Sequence, residues 1–489
     1  MTVSPSPAAE PHPRRWLVLA TLLLAGFMNL IDVTIVNVAI PSLKADLGAS
    51  DADVEWVVAA YILAFALGLL PLGRLGDIVG RKRMFLWGVG AFTLGSALCG
   101  LAPSIGTLVA ARFFQGLSGA MMMPQVLALV QVTFPPHERG FAFSFFGVTA
   151  GLASVAGPLA GGALISADIY ALAWRPIFLV NIPIGIFAVA VGSLLIPPTE
   201  RARGTAIDLV GVLLATLAVF AVVFPLVEGR ELSWPLWSFV MLGAALPLAA
   251  LFILWQRRQA ERDAPQLLPI SLIRNRHFVL GLGMVTALFS GLPGFFFVIA
   301  IFLQIGFGFT PLQSGVATIP FPAGVFIASL ISGRFGSRHA KQRLVVGPLI
   351  LASGMAIFYA TVLGLDDTLT HWDLVLPLGV SGLGMGVTIA PLFATILTVV
   401  GPRDAGSGAG ALQAFQQAGG ALGVALGGQI FFGMLGDADT RDAYRASLQM
   451  SLIYEMAVFL LLALLASRLR IGTPAGAAGA DPASVPAEA

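Results

Sequence analysis

Apolar residues along this chain come in long continuous stretches separated by short polar turns, with no alternation of period two. A helix that crosses about 30 Å of hydrocarbon needs about 20 mostly apolar residues. Fourteen segments reach that length: 16–38, 54–74, 84–102, 106–130, 141–165, 174–196, 208–227, 236–256, 278–304, 312–334, 344–364, 374–398, 406–433 and 448–467. Strands of a membrane barrel would instead give alternating segments of about ten residues. The pattern predicts an all-α polytopic membrane protein with fourteen transmembrane helices.

The connections orient these helices. With both termini placed inside, 21 of the 27 Lys and Arg fall in inner segments. Four (Lys44, Arg230, Arg441 and Arg445) fall outside, while Arg112 and Arg175 lie in or at the edge of spans. Such a split follows the positive-inside rule, and an odd number of spans would scramble it. Composition agrees, since 57% of the 489 residues are hydrophobic and 11% charged, against about 25% charged in soluble proteins. No stretch could cover a water-facing catalytic domain, and the clustered basic residues mark topology rather than nucleic-acid binding. The single cysteine, Cys99, excludes an internal disulfide, a Cys-ligated zinc site and a thiol redox pair. Arg14-Arg15 before the run from Trp16 imitates a secretory signal, but the run is too long and lacks a small-residue cleavage site. There is no Walker-type loop, His-rich metal constellation or spaced nucleophile and base. The reading is therefore no cofactor, no metal, no catalytic residue, and energy drawn from an ion gradient.

An internal repeat divides the chain. Gly73-Arg74-Leu75-Gly76-Asp77-Ile78-Val79-Gly80-Arg81-Lys82-Arg83 follows the second span. Gly333-Arg334-Phe335-Gly336-Ser337-Arg338-His339-Ala340-Lys341-Gln342-Arg343 follows the tenth, without the acidic residue. Aligning the two makes residues 16–200 and 278–470 six-helix bundles, with an extra helix pair and an inner linker at 201–277. Tails at 1–15 and 471–489 are too poor in large apolar residues to pack. Related halves around a midplane site are a recurring architecture of secondary transporters. Gly73 and Gly80 permit a tight turn, and Asp77 among Arg74, Arg81, Lys82 and Arg83 can form a charge network that one conformation makes and another breaks.

The Gly73–Arg83 segment resembles the signature of the major facilitator superfamily, and further residues resemble its fourteen-span drug:proton antiporters. The first span carries Asp32-Val33-Thr34-Ile35-Val36-Asn37-Val38-Ala39-Ile40-Pro41 and the fourth Arg112-Phe113-Phe114-Gln115-Gly116. The fifth has Gly147, Gly151 and Gly157-Pro158-Leu159-Ala160-Gly161-Gly162, like the family's antiporter motif, and the sixth Trp174-Arg175-Pro176 through Asn181 to Gly185. The sequence departs from the family at Ile78, where an arginine is usual, and in the echo's missing acid. The resemblance implies a proton-coupled exporter of small lipophilic compounds, working by alternating access as a monomer in a bacterial plasma membrane. A carrier for one native metabolite or peptide is the alternative.

Individual residues sharpen that expectation. Asp32 lies 16 residues beyond Trp16, about 24 Å along a helix. A carboxylate at that depth costs about 2.5–3.5 kcal/mol on insertion scales and so relays protons, lines a cavity, or snorkels outward. Asn29 and Asn37 could hydrogen-bond on the same face. Arg112 either snorkels or meets a carboxylate across helices, and the resemblance associates it with proton coupling, with Asp32 as its leading partner. The fifth-span glycines serve close packing or, on the antiporter resemblance, a deformable contact between halves, and Pro158 can bend that helix. Gln413, Gln416 and Gln417 share one helical face, which should turn inward to line a cavity or bond between helices. Together with Asn29, Asn37, Gln115 and Glu455 they are the candidate substrate cavity, with Glu455 placed near the outer end of the last span. Two intramembrane carboxylates favour neutral, monocationic or zwitterionic substrates over dications.

Overall fold

A computed structural model describes residues 13–167, 172–199, 206–229, 232, 234–335, 339–364, 368–436 and 440–469. Of the expected tails at 1–15 and 471–489, residues 1–12 and the whole of the second, and Gly336, Ser337 and Arg338 of the echo, lie outside the described residues. Among the described residues every regular element is helical. The first group comprises α1 (Arg15–Leu47), α2 (Asp51–Val79), α3 (Arg81–Gly100), α4 (Ile105–Thr133), α5 (Pro136–Ser166), α6 (Pro176–Leu179) and α7 (Asn181–Leu195). Then come α8 (Leu209–Glu228), α9 (Leu236–Glu261) and α10 (Ile270–Arg274). The last group is α11 (Arg276–Ile301, continued by a π-turn over Phe302–Gly306), α12 (Pro311–Thr318), α13 (Pro320–Arg334), α14 (Ala340–Leu363), α15 (His371–Thr398), α16 (Ala405–Leu435) and α17 (Arg441–Arg468).

Among the described residues, twelve helical stretches are long and apolar enough to cross a membrane, where the sequence pattern predicts fourteen. The two expected spans outside that number are α3, which opens on Arg81-Lys82-Arg83, and α5, which opens on Pro136-His137-Glu138-Arg139. The polar first turn of α3 shortens its apolar part, whereas in α5 the side chains at 154, 155 and 158 lie outside the described residues. Two other expected spans are each built from a pair of helices, α6 with α7 and α12 with α13, the latter joined at Ile319 ahead of Pro320. A proline ring cannot continue the preceding turn's hydrogen bonding.

Packing sorts the helices into two groups. Helix α4 lies against α2 and α3, and α1 against α5 and α7; on the other side α11 lies against α16 and α17, α14 against α15 and α17, and α13 against α15. The groups meet where α16 touches α2 and α4 and where α5 touches α13 and α15, and the α8–α9 pair reaches both through α2 and α16. Helices α2 and α16 cross through glycines. A Cβ on Gly73 would stand 2.6 Å from the Gly406 carbonyl oxygen, and one on Gly410 2.5 Å from that of Leu69. Backbones come this close only where side chains are absent.

The connection after α9, expected as a charged linker, is instead packed down. Leu267, Leu268 and Leu272 are buried. The Gln256 amide oxygen accepts from the Leu267 N–H at 3.1 Å, while its amide donates to Asp208 at 2.8 Å and the Trp255 indole donates to the same carboxylate at 2.9 Å. The leucines in this stretch provide an apolar face that its charges conceal in a composition count.

Candidate coupling site and gate

Where α1, α3, α4 and α7 converge, the structure buries one connected polar cluster. Asp32, Arg112 and Gln115 are at most 1% exposed. Arg112 Nη1 donates to Asp32 Oδ2 at 2.5 Å and to Gln115 Oε1 at 2.7 Å, and Arg112 Nε donates to the Val57 carbonyl at 3.1 Å. The other carboxylate oxygen, Asp32 Oδ1, accepts from Gln115 Nε2 at 2.8 Å and Asn181 Nδ2 at 3.0 Å, and both amides also donate to Ser96 Oγ. The guanidinium lies 4.2 Å from the Tyr61 ring centroid and 5.7 Å from that of Phe178, so the cation is held by aromatic faces as well as by charge. An apolar layer containing Ile35, Val36, Cys99, Trp174 and Phe178 packs beside the cluster.

The cluster rearranges several expectations. Gln115, expected in the substrate cavity, is locked inside it. Asn29 turns away from Asp32 and donates to the Tyr61 hydroxyl at 2.6 Å, and the side chain of Asn37 lies outside the described residues. The sequence motifs single out neither Tyr61 nor Ser96 and give Asn181 no role. Each is a polar residue within an apolar run, which was the available signal.

A second site joins the two helix groups beside the α2–α3 turn. Gly73 and Asp77 belong to α2 itself, and the turn reduces to Gly80 at φ 105°, a conformation that favours glycine. Asp77 accepts from the backbone N–H groups of Gly406 and Ser407 at 2.9 Å each and from the Ser407 hydroxyl at 3.2 Å. These are first-turn donors of α16, left free by the helix itself. Asp404, at the capping position of α16, makes no side-chain cap and pairs with Arg74 at 2.9 Å. Arg81 binds Asp77 Oδ1 through Nη2 at 2.7 Å and also donates to the Pro402 carbonyl. The expected network is thus split between two carboxylates. Lys82 stands apart, donating to the Ser193 carbonyl at 2.7 Å, and Arg83 is exposed. Close by, Gln131 of α4 bridges to the Leu397 and Val400 carbonyls at 2.6 and 2.9 Å. Asp404, Ser407 and Gln131 were invisible to a motif reading because their partners lie more than 260 residues away.

The fifth-span glycines divide by face. A Cβ on Gly147 would meet Ile389, Ser329 and Val325, and one on Gly151 would meet Pro322, all across the boundary between groups. Gly157 and Gly161 instead press on Thr34 and Ile35 of α1, Gly162 faces open space, and the side chain of Pro158 lies outside the described residues. Of the three glutamines, Gln413 is buried and donates to the Met123 carbonyl at 3.2 Å, whereas Gln416 and Gln417 are half-buried. Glu455, expected near the outer end of its span, is mid-helix in α17 and 1% exposed. Helix α17 begins at Arg441, before the apolar run does, and that shifts its middle. Outside the spans, Asp46 accepts from Arg175 at 2.7 Å and from the Trp174 indole at 3.0 Å. Those bonds, Arg175 first, hold its carboxyl below its ordinary value.

Known proteins match this chain in sequence and in fold. The sequence fits the profile of the Major Facilitator Superfamily over residues 22–224 and 193–424. It is 41% identical over 432 residues to a probable actinorhodin transporter of Streptomyces coelicolor, covering 88% of this chain and 75% of that one. It is 38% identical to a puromycin resistance protein of Streptomyces alboniger (85% and 82%) and 33% identical to a tetracenomycin C resistance and export protein of Streptomyces glaucescens (89% and 79%). Among solved structures, the human organic anion transporter TETRAN superposes with a TM-score of 0.65 at 17% identity, over 93% of this chain and 99% of that one. The chain belongs to the major facilitator superfamily of membrane transporters, among relatives named for antibiotic transport, export and resistance.

Proposed function

We propose that the chain exports small lipophilic compounds in exchange for protons, by alternating access between residues 16–200 and 278–470. The relatives' names, which join export to antibiotic resistance, favour outward movement of such compounds. In this reading α3 and α5 complete fourteen spans, both termini face the cytoplasm of a bacterial cell, a monomer suffices, and the α2–α16 contact is the inner gate, drawn closed.

The observation that carries the reading is the buried Asp32–Arg112 pair. Removing one partner of a buried ion pair costs about 3–5 kcal/mol, because the other charge is left uncompensated. A proton arriving on Asp32 does this reversibly: it neutralises the carboxylate and frees Arg112 to seek water or another acceptor. Occupancy by proton and closure by arginine therefore exclude one another, which is what coupling requires. Transport in everted vesicles with and without a proton gradient tests the proposal. Gradient-driven accumulation of a lipophilic probe is the expected result, and accumulation indifferent to the gradient would sink it.

A further inference from the structure

The last helix holds a carboxyl that the Asp32 cluster does not use. Glu455 stands 14 residues into α17, about 21 Å along it, and both carboxyl oxygens are buried with no hydrogen-bond partner. Opposite is Gly291 of α11, where an added Cβ would sit 2.8 Å from Glu455 Oε2 and 2.6 Å from the Phe459 ring. The helices packed on α17 bring no counter-charge to this depth. Arg276 and His277 lie in the first turn of α11, and Lys341 and Arg343 in the first turn of α14, whose other titratable group is the Tyr359 phenol. Helix α16 has no charged residue between Ala405 and Leu435, and the charges of α17 itself (Arg441, Asp442, Arg445 and Arg468) lie in its end turns. Of its phenols, Tyr444 is near the start, and Tyr454, beside Glu455, donates to the Ser290 carbonyl at 3.4 Å.

An ionised carboxylate here would be an isolated charge in apolar surroundings, at a cost of several kcal/mol. Gly291 and Phe459 pack against the carboxyl, and with no charged or hydrogen-bonding partner at either oxygen a proton is what neutralises it here. Two residues from Gly291, Pro293 interrupts the hydrogen bonding of α11, and α11 ends in a π-turn, so this helix can bend away from Glu455 at the right depth. We propose that Glu455 is a second proton-binding site, separate in space from the Asp32 cluster, occupied in this conformation and emptied when α11 bends and water reaches it. Its place in a transport cycle rests on the export reading above; its occupancy does not.

Two measurements on the full chain test this. Infrared difference spectra between folded wild type and Glu455→Gln at pH 7 should show the C=O stretch of a protonated carboxyl belonging to Glu455. A difference spectrum with carboxylate stretches alone overturns the proposal, whatever the fate of the export reading. In proteoliposomes, Glu455→Gln should lower the protons exchanged per substrate by one, reducing the gradient held at 100 mV about 50-fold. Glu455→Met fills the site if the glutamine variant does not fold. A protonated Glu455 with an unchanged ratio would make it a permanently neutral packing residue and equally overturn the proposal. Loss of gradient dependence in wild type would count against export alone.

Discussion

Asp32 can be satisfied in its buried site by Arg112 or by a proton, and Asn at this position offers neither charge nor titration. Asp32→Asn should abolish gradient-driven export while retaining substrate binding, and should lower stability by about 3–5 kcal/mol because Arg112 is left uncompensated. Adding Arg112→Gln should restore much of the stability and none of the transport; vesicle uptake and thermal melts separate the two effects. Recovery of transport in the double variant would rule out the coupling role. Away from the spans, Asp46 and Glu138 are held below the ordinary carboxylate range, first by hydrogen bonds from Arg175 and Arg15 respectively. Their paired, ionised forms add stability above the unfolded value of about 4 and lose it as pH falls through the lower folded value. The melting temperature should therefore drop on acidification below about pH 4, and less steeply in the Asp46→Asn, Glu138→Gln variant.

Helix α16 begins with its own capping residue, Asp404, turned away to Arg74, and Asp77 of α2 takes over the free N–H groups. The helix's positive end is thus completed by the opposite group of helices, so in the proposed cycle opening this contact would expose both an uncapped helix and a buried carboxylate. The glycine crossing above it makes this closure possible, and Gly410→Leu should wedge α2 from α16 through the Leu69 carbonyl. In a Cys99→Ser background, spin labels at Arg83 and Arg403 should report a longer distance in that variant than in its parent, with substrate binding kept and turnover lost. An unchanged distance would show that the crossing does not set the gate. Helix α5 divides its labour similarly, with Gly147 and Gly151 toward the opposite group and Gly157 and Gly161 toward α1, so substitutions at the first pair should slow transport more than those at the second.

For the whole molecule, the proposed orientation predicts that Leu232→Cys labels from outside and Arg258→Cys from inside an intact cell, again in Cys99→Ser. Labelling of both from one side would refute the placement of α8 and α9 across the membrane. Energy sets the scale of export: one charge crossing 100 mV releases about 2.3 kcal/mol, enough for roughly a 50-fold gradient of a neutral compound. A second proton at Glu455 would multiply that figure by itself.

What the sequence determined alone is what local chemistry determines. Apolar runs specify helices of membrane length, because an isolated backbone in hydrocarbon must satisfy its own hydrogen bonds. A carboxylate inside such a run marks Asp32 as exceptional, and Gly80 marks the turn. Helix ends were less legible: α2 runs past its apolar segment to Val79, and the turn through Val180 within the expected sixth span came from backbone geometry. Which buried polar groups met was decided only in three dimensions, since Arg112 reaches Asp32 across 80 positions and Asp77 reaches Ser407 across 330. The same holds for the isolation of Glu455, whose depth in α17 and lack of partners depend on where α11, α14 and α16 place their charges. Burial and pairing are properties of the space between helices, and a single helix's sequence specifies only what it brings to that space.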